Sequence, residues 1–73
     1  MKFLINLFKI HWLLFDEVAK DKEKYVYSSL VYEYAKLEII IDLMERIYST
    51  EINVEPLRLG LNRRYNVYLG EKQ

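Results

Sequence analysis

The chain has 73 residues, 52% of them hydrophobic, and its 11 basic and 11 acidic side chains give a formal net charge of zero. This length predicts one small domain over residues 1–73, which buries only roughly 60% of the surface of its unfolded state. Zero net charge argues against a polyanion-binding surface spread over the whole chain. The lack of cysteine excludes disulfides, thiolate zinc sites and cysteine nucleophiles, and we expect a cytoplasmic protein.

The first predicted element is a helix over about residues 2–20. Neither proline nor glycine occurs before Pro56, and two apolar series step along this segment at the spacing of one helical face. Together they predict a helix with a very wide apolar surface. The two series are Ile5, Phe8, Trp12, Phe15 and Ala19, and Leu4, Leu7, His11, Leu14 and Val18.

The second predicted element is a helix over about residues 25–49. Seven apolar residues follow one another at alternating steps of three and four, which places them on one face of a helix. Neighbouring valine and isoleucine residues widen this face to the stripe of a helix that packs in a bundle. The seven are Tyr27, Leu30, Tyr34, Leu37, Ile41, Met44 and Tyr48.

The two apolar stripes are out of phase, which predicts a break between the helices. When the second stripe is continued backwards in steps of seven, it falls mostly on the polar face of the first helix. One straight helix would therefore carry its apolar stripe on opposite sides at its two ends. A break in the charged residues 21–24 removes the conflict and folds the chain into an antiparallel helical hairpin. A bent or domain-swapped continuous helix is the alternative.

The C-terminal part of the chain changes to a period of two. Apolar and polar residues alternate between Ile52 and Leu69, which predicts a short β-hairpin-like segment over about residues 52–69 with its turn at Asn62 and Arg63. The alternative is a short helix that starts at Pro56, since proline suits the first turn of a helix. Residues 70–73 are polar and are predicted to form a frayed tail.

The first helix carries more apolar surface than one neighbouring helix can cover. An uncovered patch of that size acts as an interaction surface, and self-association into a dimeric four-helix bundle would cover it. We therefore predict a homodimer whose seam is formed by Phe8, His11, Trp12 and Phe15.

Catalytic and metal-binding patterns are not apparent in the sequence. His11 is the sole histidine, and it lies within an apolar stripe with no serine or cysteine at a spacing that it would activate. Glu38, Asp42 and Glu45 share one helical face, but carboxylate metal sites in bundles add a histidine three residues after a glutamate. We therefore predict a non-enzymatic protein with no metal and no cofactor.

One cluster near the C-terminus suggests partner binding: Arg58, Arg63, Arg64, Tyr65 and Tyr68. Arginine and tyrosine are enriched at the centres of protein interfaces, so we predict a non-catalytic adaptor or regulatory protein that occupies a surface on another protein. The same residue types grip phosphates and stack bases, which makes a nucleic-acid-binding regulator the alternative. A second alternative is attachment to a membrane surface through the first helix, although the segment Phe3 to Phe15 is shorter than the roughly 20 residues that span a bilayer.

Overall fold

The computed structural model describes residues 2–20, 27–48 and 50–72, and these residues form three helices without a strand. Helix α1 spans Lys2–Lys20, α2 spans Tyr27–Tyr48 and α3 spans Glu55–Lys72. Helices α1 and α2 pack as an antiparallel hairpin, and α3 returns along α2, parallel to α1. The result is an elongated three-helix arrangement whose Cα atoms extend over 41 × 19 × 14 Å.

The helical hairpin predicted from the first two stripes is confirmed. Leu30, Leu37, Ile41 and Met44, from the predicted stripe of α2, are buried. The predicted helix ends at 25 and 49 and the predicted break at residues 21–24 lie outside the described residues. The apolar residues on the flanks of the stripe differ in burial: Ile40 is buried, whereas Val31 and Ile47 are exposed.

The predicted β-hairpin over residues 52–69 is wrong, because this segment forms α3. A strand pattern would place Leu59 and Val67 on the same face as Leu57 and Tyr65, but Leu59 is 50% and Val67 is 55% exposed. The buried positions Leu61 and Tyr68 are seven residues apart, which is the spacing of one helical face. A step of four satisfies both a helix and an alternating strand, and this coincidence explains the error.

The start of α3 is fixed by residues that favour a helix N-terminus. The backbone N–H of Arg58 donates to the carbonyl oxygen of Val54 at 3.0 Å, and the N–H of Glu55 donates to Asn53 Oδ1 at 3.1 Å. Glu55 places a negative charge in the first turn, where the helix dipole favours it. Pro56 follows at a position whose missing N–H has no partner within the helix. The helix continues through the predicted tail to Lys72, and fraying of residues 70–73 stays a prediction.

The core lies between the three helices and draws on each of them. Phe15 from α1, Leu30, Leu37 and Ile41 from α2, and Leu61 from α3 are the largest fully buried side chains among the described residues. Each large apolar side chain that folding buries stabilises the chain by about 1.5–3 kcal/mol. The third helix therefore contributes to the same core as the hairpin.

The presence of α3 also corrects the predicted four-helix bundle. That prediction assigned the excess apolar surface of α1 to a second hairpin from another chain. Helix α3 of the same chain covers the flank of α1 that carries Phe15, whose ring contacts Tyr65 and Tyr68 at centroid distances of 6.5 and 5.2 Å. The single chain is thus a three-helix unit, and a bundle of four helices from two hairpins is not supported.

Candidate interaction surfaces

Arg58, predicted to bind a partner, links α3 to α2 within the chain. Its Nη2 lies 3.0 Å from Asp42 Oδ1, and its Nη1 lies 3.3 Å from Glu45 Oε2 and 3.5 Å from Glu55 Oε2. Hydrogen bonds to Glu45 and then Asp42 raise the pKa of the guanidinium above its usual value. The acidic residues of α2 thus serve an intramolecular contact, and Arg58 is already engaged.

Tyr65 and Tyr68, from the same predicted patch, also lie against the chain itself. The Tyr65 ring stacks on Tyr34 with centroids 3.9 Å apart and an interplanar angle of 24°. Tyr68 is buried, and its hydroxyl donates a hydrogen bond to Asp16 Oδ1. Burial, followed by the interaction with Asp16, raises the pKa of Tyr68 to about 12. These two rings support the packing of α3 on α1 and α2.

Arg63 and Arg64 are the two members of the patch whose side chains are exposed to solvent. Neither forms an ion pair with a carboxylate within the described parts of the chain. The Arg64 guanidinium lies over the Tyr68 ring at 6.0 Å from its centroid. Together with Gly60 and Val67, the two arginines line a shallow concavity of about 350 Å³.

The residues predicted to form an assembly seam divide between the core and the surface. Phe15 is fully buried in the single chain, so it is a core residue. Phe8 and Trp12 are half-buried, with ring centroids 5.6 Å apart, and lie on the side of α1 that faces α3. His11 is half-buried on the side of α1 that faces α2. Assembly through Phe8, His11 and Trp12 stays a prediction.

A polar cluster lies at the junction of α1 and α2, where His11 Nδ1 is 3.8 Å from Glu33 Oε2. The other oxygen of Glu33 is 3.3 Å from Lys36 Nζ. Both His11 Nδ1 and Glu33 Oε2 are buried and lack a hydrogen-bond partner. A buried polar atom without a partner is unfavourable for stability, so this cluster is a local weak point of the α1–α2 contact.

An uncovered apolar surface, here called the hairpin face, lies along α1 and α2. Phe3 is 72% exposed and Ile39 is 59% exposed, and several other large apolar side chains of the face are also exposed. On α1 the residues repeat at steps of four, three and four, which is the spacing of a helix-packing seam. The hairpin face consists of Phe3, Leu7, Ile10 and Leu14 on α1 and Tyr32, Ile39, Leu43 and Ile47 on α2.

The hairpin face points away from α3. On α2, the residues that contact α3 include Tyr34, Asp42 and Glu45, whereas the exposed apolar series lies on the opposite flank of the helix. On α1, Phe15 and Asp16 reach α3, and the exposed series again lies on the other flank. The two series therefore border the same side of the α1–α2 contact.

The size of the hairpin face exceeds what a monomer ordinarily exposes. With roughly 200 Å² for a fully exposed large side chain, the exposed fractions of its residues other than Leu7 amount to about 770 Å². The largest apolar patch of a typical monomer is about 300–600 Å², and each partner in a standard protein interface contributes about 800 Å². The face thus has the dimensions of one side of an interface.

A second surface, here called the α1–α3 groove, separates the N-terminal parts of α1 and α3. Its main concavity measures about 550 Å³ and is lined by Phe8, Lys9, Trp12, Leu13, Pro56, Leu57 and Gly60. It adjoins a second concavity of about 430 Å³, which reaches Met44 and Ile52. At its other end, Gly60 also lines the concavity beside Arg63 and Arg64. The groove is therefore apolar at its centre and basic towards the C-terminal half of α3.

Neither surface offers a metal site or a membrane span. No cluster of three or more histidine, cysteine or acidic side chains that could hold a metal ion is present in residues 2–20, 27–48 and 50–72. Within the same ranges, no helix is both long enough and apolar enough to cross a bilayer.

The sequence alone predicts partner binding by Arg63 and Arg64 and an uncovered apolar patch on the first helix, but it does not predict the hairpin face or the groove as the structure has them. The predicted seam lies on the flank of α1 that carries Phe8, Trp12 and Phe15, whereas the exposed flank carries Phe3 and Ile10. The groove requires α3 to be a helix, and the alternating pattern favoured a strand. Asn53, Glu55 and Pro56 were the signal that could have revealed it. Comparisons with protein-family models, curated proteins and solved structures give no significant match for this chain.

Proposed function

We propose that this chain is a small non-catalytic interaction protein that assembles with a second copy of itself through the hairpin face and acts by binding another protein. The observation that supports it is the size of the exposed apolar surface on α1 and α2. Transfer of apolar area out of water stabilises an association by roughly 25 cal/mol per Å² before the costs of association. A face of this size is comparable with one side of a standard protein interface.

A second copy is the occupant that this face fits best. A two-fold interface joins the same patch on both chains, so each hairpin would place its two apolar series against the two series of its partner. The two hairpins would then pack face to face within an assembly of six helices, which differs from the predicted four-helix bundle because α3 of each chain lies on the outside. This arrangement moves the proposed seam from Phe8, Trp12 and Phe15 to the flank that carries Phe3, Ile10 and Ile39.

His11 lies beside this seam, within the α1–α2 contact. In the proposed assembly, His11, Glu33 and Lys36 form a polar cluster near the centre of an apolar interface. Such clusters reduce stability but favour one register over others. The role predicted for His11 in assembly is therefore retained in the proposal, whereas Phe15 is assigned to the core.

Nucleic-acid binding is the second candidate, and the observation that favours it is the pair of exposed arginines, Arg63 and Arg64. Base stacking would need free aromatic rings beside them, but Tyr65 stacks on Tyr34 and Tyr68 is buried. Protein binding is therefore preferred. A cytoplasmic location stays a prediction that rests on the cysteine-free sequence.

The lack of native cysteine allows a direct test of the proposed assembly. Three variants each carry one cysteine. Ile10→Cys and Ile39→Cys each place a thiol in the middle of the hairpin face, and Leu59→Cys places one on an exposed position of α3 outside it. Treatment with a short bis-maleimide should link two chains of the hairpin-face variants within minutes and leave the Leu59 variant mostly unlinked. Equal linking of all three variants, or linking of none, would contradict the proposed interface.

A further inference from the structure

We propose that the α1–α3 groove binds an acidic amphipathic helix of a partner protein. This proposal concerns a different surface from the hairpin face and goes beyond self-association. It assigns the apolar residues Phe8, Trp12 and Leu57 to the partner's apolar stripe, and Arg63 and Arg64 to its acidic flank. In helix-in-groove binding, the groove contacts apolar residues that are spaced along one face of the bound helix.

The shape of the groove selects a helix as its occupant. The apolar concavity between α1 and α3 follows α3 from Pro56 to Gly60, and the basic concavity continues from Gly60 on α3 alone to Val67. At 1.5 Å per residue the two together extend over about 17 Å, or about three helical turns. The walls of the apolar concavity are the helices α1 and α3, which contact each other further along, at Phe15, Asp16 and Tyr68. A partner helix can therefore lie between α1 and α3 at the open N-terminal end of the groove.

Gly60 keeps the floor of this groove open. A Cβ atom built at Gly60 would meet nothing within 4 Å, and the residue lines both the apolar and the basic concavity. Glycine within a helix is less favourable than alanine, and no contact within the described residues requires it here. A larger side chain at this position would fill space that the partner helix would occupy.

The charges around the groove select an acidic partner. Lys9 lies at its apolar centre and the two exposed arginines lie at its end. Arg58 does not take part, because Asp42, Glu45 and Glu55 already surround its guanidinium. For the same reason, the acidic face of α2 from a second copy is engaged and does not match the groove. Charge complementarity of this kind speeds association and excludes partners of like charge.

The test measures binding of a probe peptide to the full chain by fluorescence anisotropy. The probe is a labelled amphipathic peptide of about 14 residues, about four turns, with leucine and phenylalanine at i, i+3 and i+7 and glutamate on the flank. A matched peptide carries lysine in place of each glutamate. The intact chain should bind the acidic peptide at least about tenfold more tightly than the basic one, because like charges at an interface disfavour binding.

Two pairs of variants locate the binding site. Gly60→Leu should weaken binding at least about tenfold while the melting temperature stays equal or rises, because leucine favours a helix more than glycine does. Gly70→Leu is the matched control, since this glycine is also helical and open but does not line the groove. Arg63→Glu should weaken binding of the acidic peptide, whereas Arg46→Glu on α2 should not.

Several results would overturn the proposal. These are no binding of the acidic peptide, equal binding of the basic one, or unchanged binding to the Gly60→Leu variant. A single-stranded oligonucleotide that displaces the peptide and binds with a steep salt dependence would instead indicate nucleic-acid binding. The Ile39→Glu variant, which is designed to remove the proposed self-association, should keep its affinity for the peptide, so that failure of one proposal is distinguishable from failure of the other.

Discussion

Removal of the Tyr68 hydroxyl should destabilise the chain at neutral pH and should flatten its loss of stability at alkaline pH. The Tyr68 ring is buried against Phe15, and its hydroxyl donates to the half-buried carboxylate of Asp16. This contact is one of the few that join α1 directly to α3. Tyr68→Phe keeps the ring and deletes the hydrogen bond.

The magnitude follows from the pKa of Tyr68, which burial and the neighbouring Asp16 raise from 10.0 to about 12. Two pKa units correspond to at most about 2.7 kcal/mol. Because Asp16 is partly open to solvent and a hydrogen bond to a charged acceptor contributes about 1.5–3 kcal/mol, we expect Tyr68→Phe to lower the free energy of unfolding by about 1–2 kcal/mol at pH 7.

The pH dependence has a definite sign. The folded state holds the phenol proton of Tyr68 more tightly than the unfolded state, so the stability from this contact is present below pH 10 and is lost as the pH rises towards 12. Burial, followed by the neighbouring Glu38, also raises the pKa of Tyr34. The Tyr68→Phe variant should therefore lose less stability than the intact chain as the pH rises, because only the effect of Tyr34 remains. The difference between their free energies of unfolding should shrink to near zero by pH 12.

Urea unfolding followed by circular dichroism at pH 7, 10, 11 and 12 would measure these free energies. Tyr32→Phe is the matched control when all variants also carry Ile39→Glu, because Tyr32 is exposed in the single chain and its ring lies beneath Lys36 Nζ. The reasoning would be refuted by equal stability of the Tyr68→Phe variant and the intact chain at pH 7, or by a difference between them that persists unchanged at pH 12.

Two further substitutions test the fold. Leu61→Ala should lower the free energy of unfolding by about 2–5 kcal/mol, since Leu61 is fully buried. Leu59→Ala should change it by less than about 1 kcal/mol. Equal effects of the two substitutions in thermal unfolding would contradict the helical register of α3. Glu33→Gln should raise the melting temperature at pH 8, because the side-chain amide of the glutamine can donate to the buried His11 Nδ1, which lacks a partner. A lower melting temperature would show that the carboxylate is needed.

The first two helices could be predicted because their apolar residues repeat over several turns without interruption. The stripe of α2 contains seven apolar positions, and so long a series fits no strand. The third helix could not be assigned in the same way, because Leu57 and Leu61 satisfy a period of two as well as a helical step of four. Leu59 and Val67 face solvent because of the way in which α3 packs on α2. This contact between helices cannot be read from the sequence.

The candidate surfaces were less predictable than the helices because they depend on how three helices are arranged. Phe15 and Phe3 are both large and apolar and both lie on α1, yet one is fully buried and the other is 72% exposed. The difference arises because α3 covers only one flank of α1. Similarly, Arg58 and Arg63 lie in the same arginine-rich segment, but only Arg58 faces the acidic residues of α2.

The molar mass of the purified chain in solution tests the proposed self-association most directly. Light scattering across a range of concentrations should give twice the mass of the 8.9 kDa chain, and Ile39→Glu should reduce it to the mass of one chain while the helical content is kept. A mass of 8.9 kDa for the intact chain at every concentration would contradict assembly through the hairpin face.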